Sequence, residues 1–334
     1  MNLNLPNYLF LSHCIPLPLS VLKIIEETPS HPFHDIKNLN NQDIESELRN
    51  IGNIKRVSIR DIPKKVDNIE NLLKTSIFDK ISNSLEKWKE LEITFIPYFD
   101  DKFPLKLKTI KNPPKTLFTI GLSNFDYSKS ISIIGTRKPT AYGAQMAEKI
   151  GLEFTKCGYT VANGFAKGVD TLAMKGCLKA GGKVIGVLAS GLLNPYPKEN
   201  VELFHEIINN GKGFFLSEHL PNDPVKKSTL ATRNRISSAL SIGNVFVEGS
   251  AKSGIRYQLK YGKEQKKPII VLQPKEDGPN AFIPNQIITE EKHCFIIESI
   301  DDIPLIAEKL IEINKKKEKK LNSINRQKKL SDFK

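Results

Sequence analysis

The residues best suited to chemistry are basic side chains and hydroxyls set beside glycines, and they recur in short turns. Gly135-Thr136-Arg137-Lys138 opens the series and Gly164, Lys167 and Gly168 follow. Arg233-Asn234-Arg235 comes next, and Lys252-Ser253-Gly254 closes it. Guanidinium and ammonium groups, hydroxyls, and main-chain N–H groups laid bare by glycine are what a phosphate oxygen binds. Taken singly, each turn reads as a glycine easing a bend with charges on a wet rim. The same chemistry in several turns points to phosphate. Glu248 accompanies them. An acid at a strand end can orient a water or grip a ribose, but it more often steadies a neighbouring Arg or a helix N-terminus, and that supporting role is expected here.

The elements that must position these turns repeat one rhythm. Ser130–Ile134 is a β-branched apolar run that stops at Gly135, and the segment after it places Met146, Ala147, Ile150 and Phe154 on one helical face. Tyr159–Ala162, Lys183–Leu188, Gly213–Leu216, Val245–Val247 and Pro268–Leu272 are further short apolar runs, each leaving through small or basic residues toward a helical stretch. Strand, small-residue turn, helix, repeated, predicts an α/β fold with a doubly wound, mostly parallel sheet buried on both faces. In such sheets the turns after the strands share one edge and ligands bind in the crevice there. The dinucleotide fingerprint is absent, because Gly135 and Gly143 do not form a G-x-G-x-x-G cluster, and no G-x-x-x-x-G-K-S/T loop is present. Neither a dinucleotide oxidoreductase nor a Walker-type NTPase fits.

The order of these motifs resembles the DNA-processing protein A family (DprA/Smf). Ile134-Gly135-Thr136-Arg137-Lys138-Pro139 with Tyr142-Gly143 is similar to its opening signature, and Asn163 through Asp170 to its second loop, where the first residue is usually Ser. Val187 through Tyr196-Pro197 and Asn200, Leu216-Ser217-Glu218, Thr232-Arg233-Asn234-Arg235-Ile236, and Val247-Glu248 with Ser253-Gly254 continue the match over roughly residues 90–300. The resemblance implies an extended Rossmann-like domain that binds single-stranded DNA, forms a homodimer and helps load a RecA-type recombinase during DNA uptake and natural transformation. It implies DNA contacts from Arg137, Lys167, Arg233 and Arg235, with backbone from Gly135, Thr136 and Gly168. Single-strand binders combine a basic groove with stacking surfaces and need no cofactor, metal or catalytic acid. The expectation is therefore binding without catalysis.

Two other readings belong to different classes. The same sheet superfamily includes phosphoribohydrolases, in which Glu248 and Arg137 would act on a nucleoside monophosphate, but their P-G-G-x-G-T-x-x-E motif is missing. A nucleotide-binding sensor in a defence pathway is the third.

The chain has 334 residues, 39% of them hydrophobic, which suits two or so soluble domains. Residues 1–88 hold one glycine, Gly52, and segments of helical spacing at Leu19–Glu27, Gln42–Leu48, Asn68–Leu73 and Ile77–Trp88. They read as a small all-helical, SAM-like domain ahead of a Rossmann-like domain at 89–313. Residues 314–334 read as a basic disordered tail. It carries nine Lys/Arg against Glu318 and Asp332, a net +7 of the chain's +13, so overall charge is weak support for a nucleic-acid groove. Met1–Leu22 lacks a basic start and an unbroken apolar core, and no apolar run approaches the ~18 residues of a spanning helix. The expectation is a cytoplasmic protein with no membrane partner. Cys14, Cys157, Cys177 and Cys294 show no metal-ligand spacing.

Overall fold

A computed structural model describes residues 2–55, 59–122, 126 and 128–331, with side chains omitted for 54–55 and from 318 onward. The chain divides into two compact units, residues 1–108 with 112–119, and residues 109–111 with 120–334.

The first unit is built from α1 (Leu5–Leu9), α2 (Leu19–Glu27), α3 (Asn41–Lys55), α4 (Ile62–Leu73) and α5 (Ile77–Glu90). It closes with β1 (Thr94–Pro97), α6 (Leu105–Lys108) and β2 (Thr116–Gly121). Apolar residues at helical spacing face inward, as with Val21, Leu22 and Ile25 of α2 and Ile81 and Trp88 of α5. The unit extends past residue 88 because the helices pack on the antiparallel β1–β2 pair. Phe118 of β2 stacks on Phe95 at 5.1 Å and meets Trp88 edge-on at 5.3 Å, while the Tyr8 hydroxyl donates to the Lys115 carbonyl. The loss of glycine before residue 88 marks helical content rather than the edge of the compact unit.

The second unit alternates β3 (Ser130–Ile134), α7 (Ala141–Lys156), β4 (Thr160–Asn163), α8 (Val169–Lys179), β5 (Val184–Val187), α9 (Val201–Asn209) and β6 (Gly213–Ser217). It continues with α10 (Lys227–Thr232), α11 (Asn234–Leu240), β7 (Gly243–Phe246), α12 (Ile255–Glu264), β8 (Ile269–Leu272), α13 (Phe282–Glu290), β9 (Phe295–Ile297) and α14 (Ile303–Ser331). Its strands lie in the order β6-β5-β4-β3-β7-β8-β9 and every neighbouring pair is parallel. Progress runs one way from β3 to β6 and the other way from β7 to β9. Right-handed crossovers therefore put α7 and α8 on one face and α12 on the other. The expected doubly wound, mostly parallel α/β sheet is present. The switch in direction falls between β3 and β7.

Two segments differ from expectation. Residues 273–284 read as loop, yet α13 begins at Phe282. Pro284 sits in its first turn, where a missing N–H leaves no bond unmade. The basic segment from 314, expected as disordered, continues α14 through Ser331. It is rich in Lys, a good helix former, and holds neither Gly nor Pro, which favours helix. The expected tail charges from Glu318 onward, and residues 332–334 altogether, lie outside the described residues. No described helix is long and apolar enough to cross a membrane.

The carboxyl ends of β3 and β4 separate early. Their ladder pairs only Ser130 with Thr160 and Ile131 with Val161. Beyond it the fully buried Asn163 side chain takes over. Its Oδ1 accepts from the Ile133 N–H (2.8 Å), and its Nδ2 donates to the Ile133 carbonyl (2.7 Å) and the Asp170 carbonyl (3.0 Å). A serine could not reach both groups of Ile133. Asn163→Ala is expected to leave that N–H and C=O unpaired and cost about 2–4 kcal/mol. A urea-melt midpoint within error of the wild type would refute this role.

Candidate functional site

At the switch point, turns after β3 and β7 and the start of α11 enclose an open crevice of about 670 Å³. Gly135, Thr136 and Arg137 form one wall, Ser253 and Gly254 another, and Arg233 and Asn234 the third. Gly164 and Lys167 line a small adjoining hollow together with Arg137. The sequence-derived basic residues are thus brought together, with one exception and several changes of role, while Gly168 and Glu248 stand behind the lining.

The exception is Arg235. Its guanidinium makes a two-pronged pair with the Glu218 carboxylate (2.6 and 2.5 Å), and both side chains are largely buried. Arg233 faces the crevice only marginally. It is 6% exposed and donates to the carbonyls of Val187 (2.7 Å) and Gly164, tying the ends of β5 and β4. Neither arginine braces Glu248. A charge this deep must be hydrogen-bonded, so the basic residue that sequence assigns to a ligand instead satisfies backbone. Gly164 has no side chain because a Cβ there would overlap the Arg233 guanidinium. Gly168 adopts φ +77°, and a Cβ would press on the Thr136 and Arg137 carbonyls. Only glycine lets the turn after β4 touch the turn after β3, and that contact sets the base of Arg137. The Thr136 N–H donates to the Glu248 carbonyl (2.7 Å), so it is not a bare phosphate donor.

Glu248 holds a helix N-terminus. Its carboxylate accepts from the Thr140 N–H (2.9 Å) and hydroxyl (2.5 Å), and Thr140 in turn caps α7 by accepting from the Gly143 N–H. The start of α7 is already occupied by an anion. By contrast the residue before α12, Gly254, has no side chain to cap it; only the Ser253 hydroxyl, at 3.4 Å, accepts from the Ile255 N–H, and both Gly254 and Ile255 line the crevice.

The side chains left for a ligand are Arg137, Lys138, Lys227 and Lys252. All four are exposed, line the crevice and have no carboxylate within ion-pair distance among the described residues. Lys167 is exposed but pairs with the equally exposed Glu199. Sequence reasoning missed Lys227, which reaches the site on α10 from a stretch with no strand-turn rhythm, and Tyr257 of α12, a crevice-lining ring 44% exposed. An aromatic at the third position of a helix beside a basic turn was the available signal.

Beneath the crevice lies Asp170, in the first turn of α8. Burial pushes its carboxyl up to about 6, opposed by the Arg233 guanidinium and by hydrogen bonds from Ala166 and Gly164 N–H groups. Among the described residues no group of three His, Cys, Asp or Glu side chains is placed to hold a metal.

A parallel doubly wound sheet with a basic crevice at its switch point defines a Rossmann-like protein. The chain belongs to the DNA recombination-mediator protein A family, which matches residues 94–306. It is 33% identical over 214 residues to the DNA processing protein DprA of Bacillus subtilis, covering 64% of this chain and 71% of that protein. It is 30% identical over 233 residues to the protein Smf of Synechocystis, covering 66% of this chain and 58% of that one, so it spans well under two thirds of the latter's length. The crystal structure of DprA from Streptococcus pneumoniae shares the fold, with a TM-score of 0.71 at 23% identity over 89% of this chain and 96% of that one. DprA from Helicobacter pylori, described for its single-stranded DNA binding mode, superposes with a TM-score of 0.57 at 26% identity, over 65% of this chain and 96% of that one.

Asp170 makes stability depend on pH in a defined direction. Its folded pKa lies above the unfolded value of 3.8, so between about pH 4 and 6 the folded state binds the extra proton and stability falls as pH rises. Wild type relative to Asp170→Asn is expected to lose on the order of 2 kcal/mol across that window. Parallel melting curves for the two proteins from pH 4 to 7 would refute it.

Proposed function

We propose that this chain binds single-stranded DNA in the switch-point crevice and mediates recombination by presenting the strand to a RecA-type recombinase during DNA uptake, without catalysis of its own. The observation that carries this reading is the set of four exposed cations, Arg137, Lys138, Lys227 and Lys252, that have no carboxylate within ion-pair distance among the described residues and meet beside the N-terminus of α12. A helix N-terminus flanked by cations attracts phosphate. An open crevice suits a continuous chain better than an enclosed mononucleotide. The kinship with DprA proteins, one of them described for its single-stranded DNA binding mode, supports the same ligand. Cleavage of a nucleotide would require Glu248 to face a sugar, whereas both its oxygens hold Thr140.

The test is binding of labelled oligothymidine and of an equally long duplex at several salt concentrations. Wild type is expected to prefer the single strand and to weaken steeply with salt. Arg137→Ala is expected to bind at least about tenfold more weakly, with a salt slope shallower by about 0.7, the share of one phosphate on a single strand. Arg235→Gln is expected to keep the slope while losing stability, because its partner is Glu218. Equal slopes for wild type and Arg137→Ala would refute the assignment, and a small nucleotide retained through purification would favour the sensor reading.

A further inference from the structure

Among the described residues, the large aromatic side chains that stand exposed are Tyr196 (36%), Tyr257 (44%) and Phe282 (50%). All three lie on segments leaving the carboxyl ends of the second unit's strands. Tyr196 follows β5, Tyr257 is in the first turn of α12 after β7, and Phe282 opens α13 after β8. Between them along the same edge come Lys167 after β4, Arg137 after β3 and Lys252 after β7. The strands these segments leave follow the order β5-β4-β3-β7-β8, so rings and cations belong to one edge of the sheet. Rings alternating with cations along one edge are the composition of a single-strand track, where bases stack and phosphates pair.

Beyond Tyr257 the crevice opens into a second hollow of about 670 Å³, and the two share Ser250, Lys252 and Pro279. This second hollow differs in chemistry. Phe282 lines it, Lys252 is its one described cation, and the carboxylates of Asp277 and Glu290 border it with the amides of Asn285 and Gln286. Gln286 Nε2 already donates to Glu290 Oε1 (2.9 Å), and the Thr289 hydroxyl donates to the Asn285 carbonyl. The unspent groups are weighted toward acceptors. Two carboxylates repel a phosphate, so the backbone stays with Lys252 and the base turns inward onto the ring. Carboxylates accept hydrogen bonds from the exocyclic amino groups of cytosine, adenine and guanine, while thymine has no exocyclic amino group and its one base donor, N3–H, sits between two carbonyl oxygens that a carboxylate repels.

We propose that the DNA track continues past Tyr257 onto Phe282, and that Asp277 and Glu290 make this hollow a base-reading subsite favouring a base with an exocyclic amino group. The proposal rests on the single-strand reading above and adds an extent and a preference to it. Both rings are chosen by exposure and position, and both are replaceable without opening the core.

The experiment measures affinity for oligo(dC) and oligo(dT) of about 15 nucleotides, long enough for a track of this kind. It uses wild type, Phe282→Ala, Tyr257→Ala and the double variant Asp277→Asn/Glu290→Gln. Wild type is expected to bind oligo(dC) several-fold more tightly than oligo(dT). Phe282→Ala is expected to weaken binding to both by about tenfold, Tyr257→Ala to do likewise, and the double variant to erase the preference while keeping oligo(dT) affinity. In Phe282→Trp, the new emission is expected to be quenched by either oligonucleotide. Equal affinities in wild type, or a Phe282→Ala protein that binds like wild type while Arg137→Ala does not, overturns the subsite and leaves the crevice reading intact. Arg137→Ala and Phe282→Ala both binding like wild type overturns the two together.

Discussion

Where two parallel strands part company, the main-chain groups they no longer share must find other partners, and the architecture of this site follows from how that is done. The β3–β4 ladder ends after Ile131 and Val161, and Asn163 supplies the next rung from its side chain. One strand further along, Arg233 plugs the carbonyls of Gly164 and Val187. Unpaired buried N–H and C=O groups cost about 1–3 kcal/mol each, so these two side chains hold a parting that backbone alone would not keep. The turns that diverge above them can then line a wide crevice instead of closing on each other.

Charge is distributed by the same logic. Cations that are buried, Arg233 and Arg235, are consumed by carbonyls and by Glu218, while on the rim Lys167 pairs with Glu199 and Arg137, Lys138, Lys227 and Lys252 have no carboxylate within ion-pair distance among the described residues. The two long helices that begin near the switch point are treated oppositely. α7 starts against the Glu248 carboxylate through Thr140, and α12 starts against the neutral Ser253 hydroxyl. A helix end facing this edge is thus neutralised by an acid on one face of the sheet and met by a neutral hydroxyl on the other.

The strand–turn–helix rhythm made the sheet, its order of turns and the crevice legible in sequence, because short β-branched runs ending at glycine have few other homes. Glu248 as the support of a helix end was legible too. The functions of Arg233 and Arg235 were not, since a guanidinium reads alike in sequence whether it faces water or a carbonyl. Depth decides, and depth is a tertiary property. Lys227 arrives from a segment without periodicity, and the extent of the first unit depends on Trp88 and Phe118 meeting across thirty residues of chain. The helix through Ser331 shows local propensity prevailing where composition suggested coil.

The pairing of Lys167 with Glu199 alters what an ion count would mean. Both side chains are about half exposed, and such a pair is worth no more than about 1 kcal/mol. A phosphate can therefore displace Glu199 with little loss. When it does, Lys167 exchanges a counter-charge belonging to the protein for one belonging to the ligand, and no mobile ion is set free. Contacts inferred from salt titration count only released ions. On the single-strand reading proposed above, the stoichiometry read that way falls one short of the cations in contact with the strand, with Lys167 the one left out.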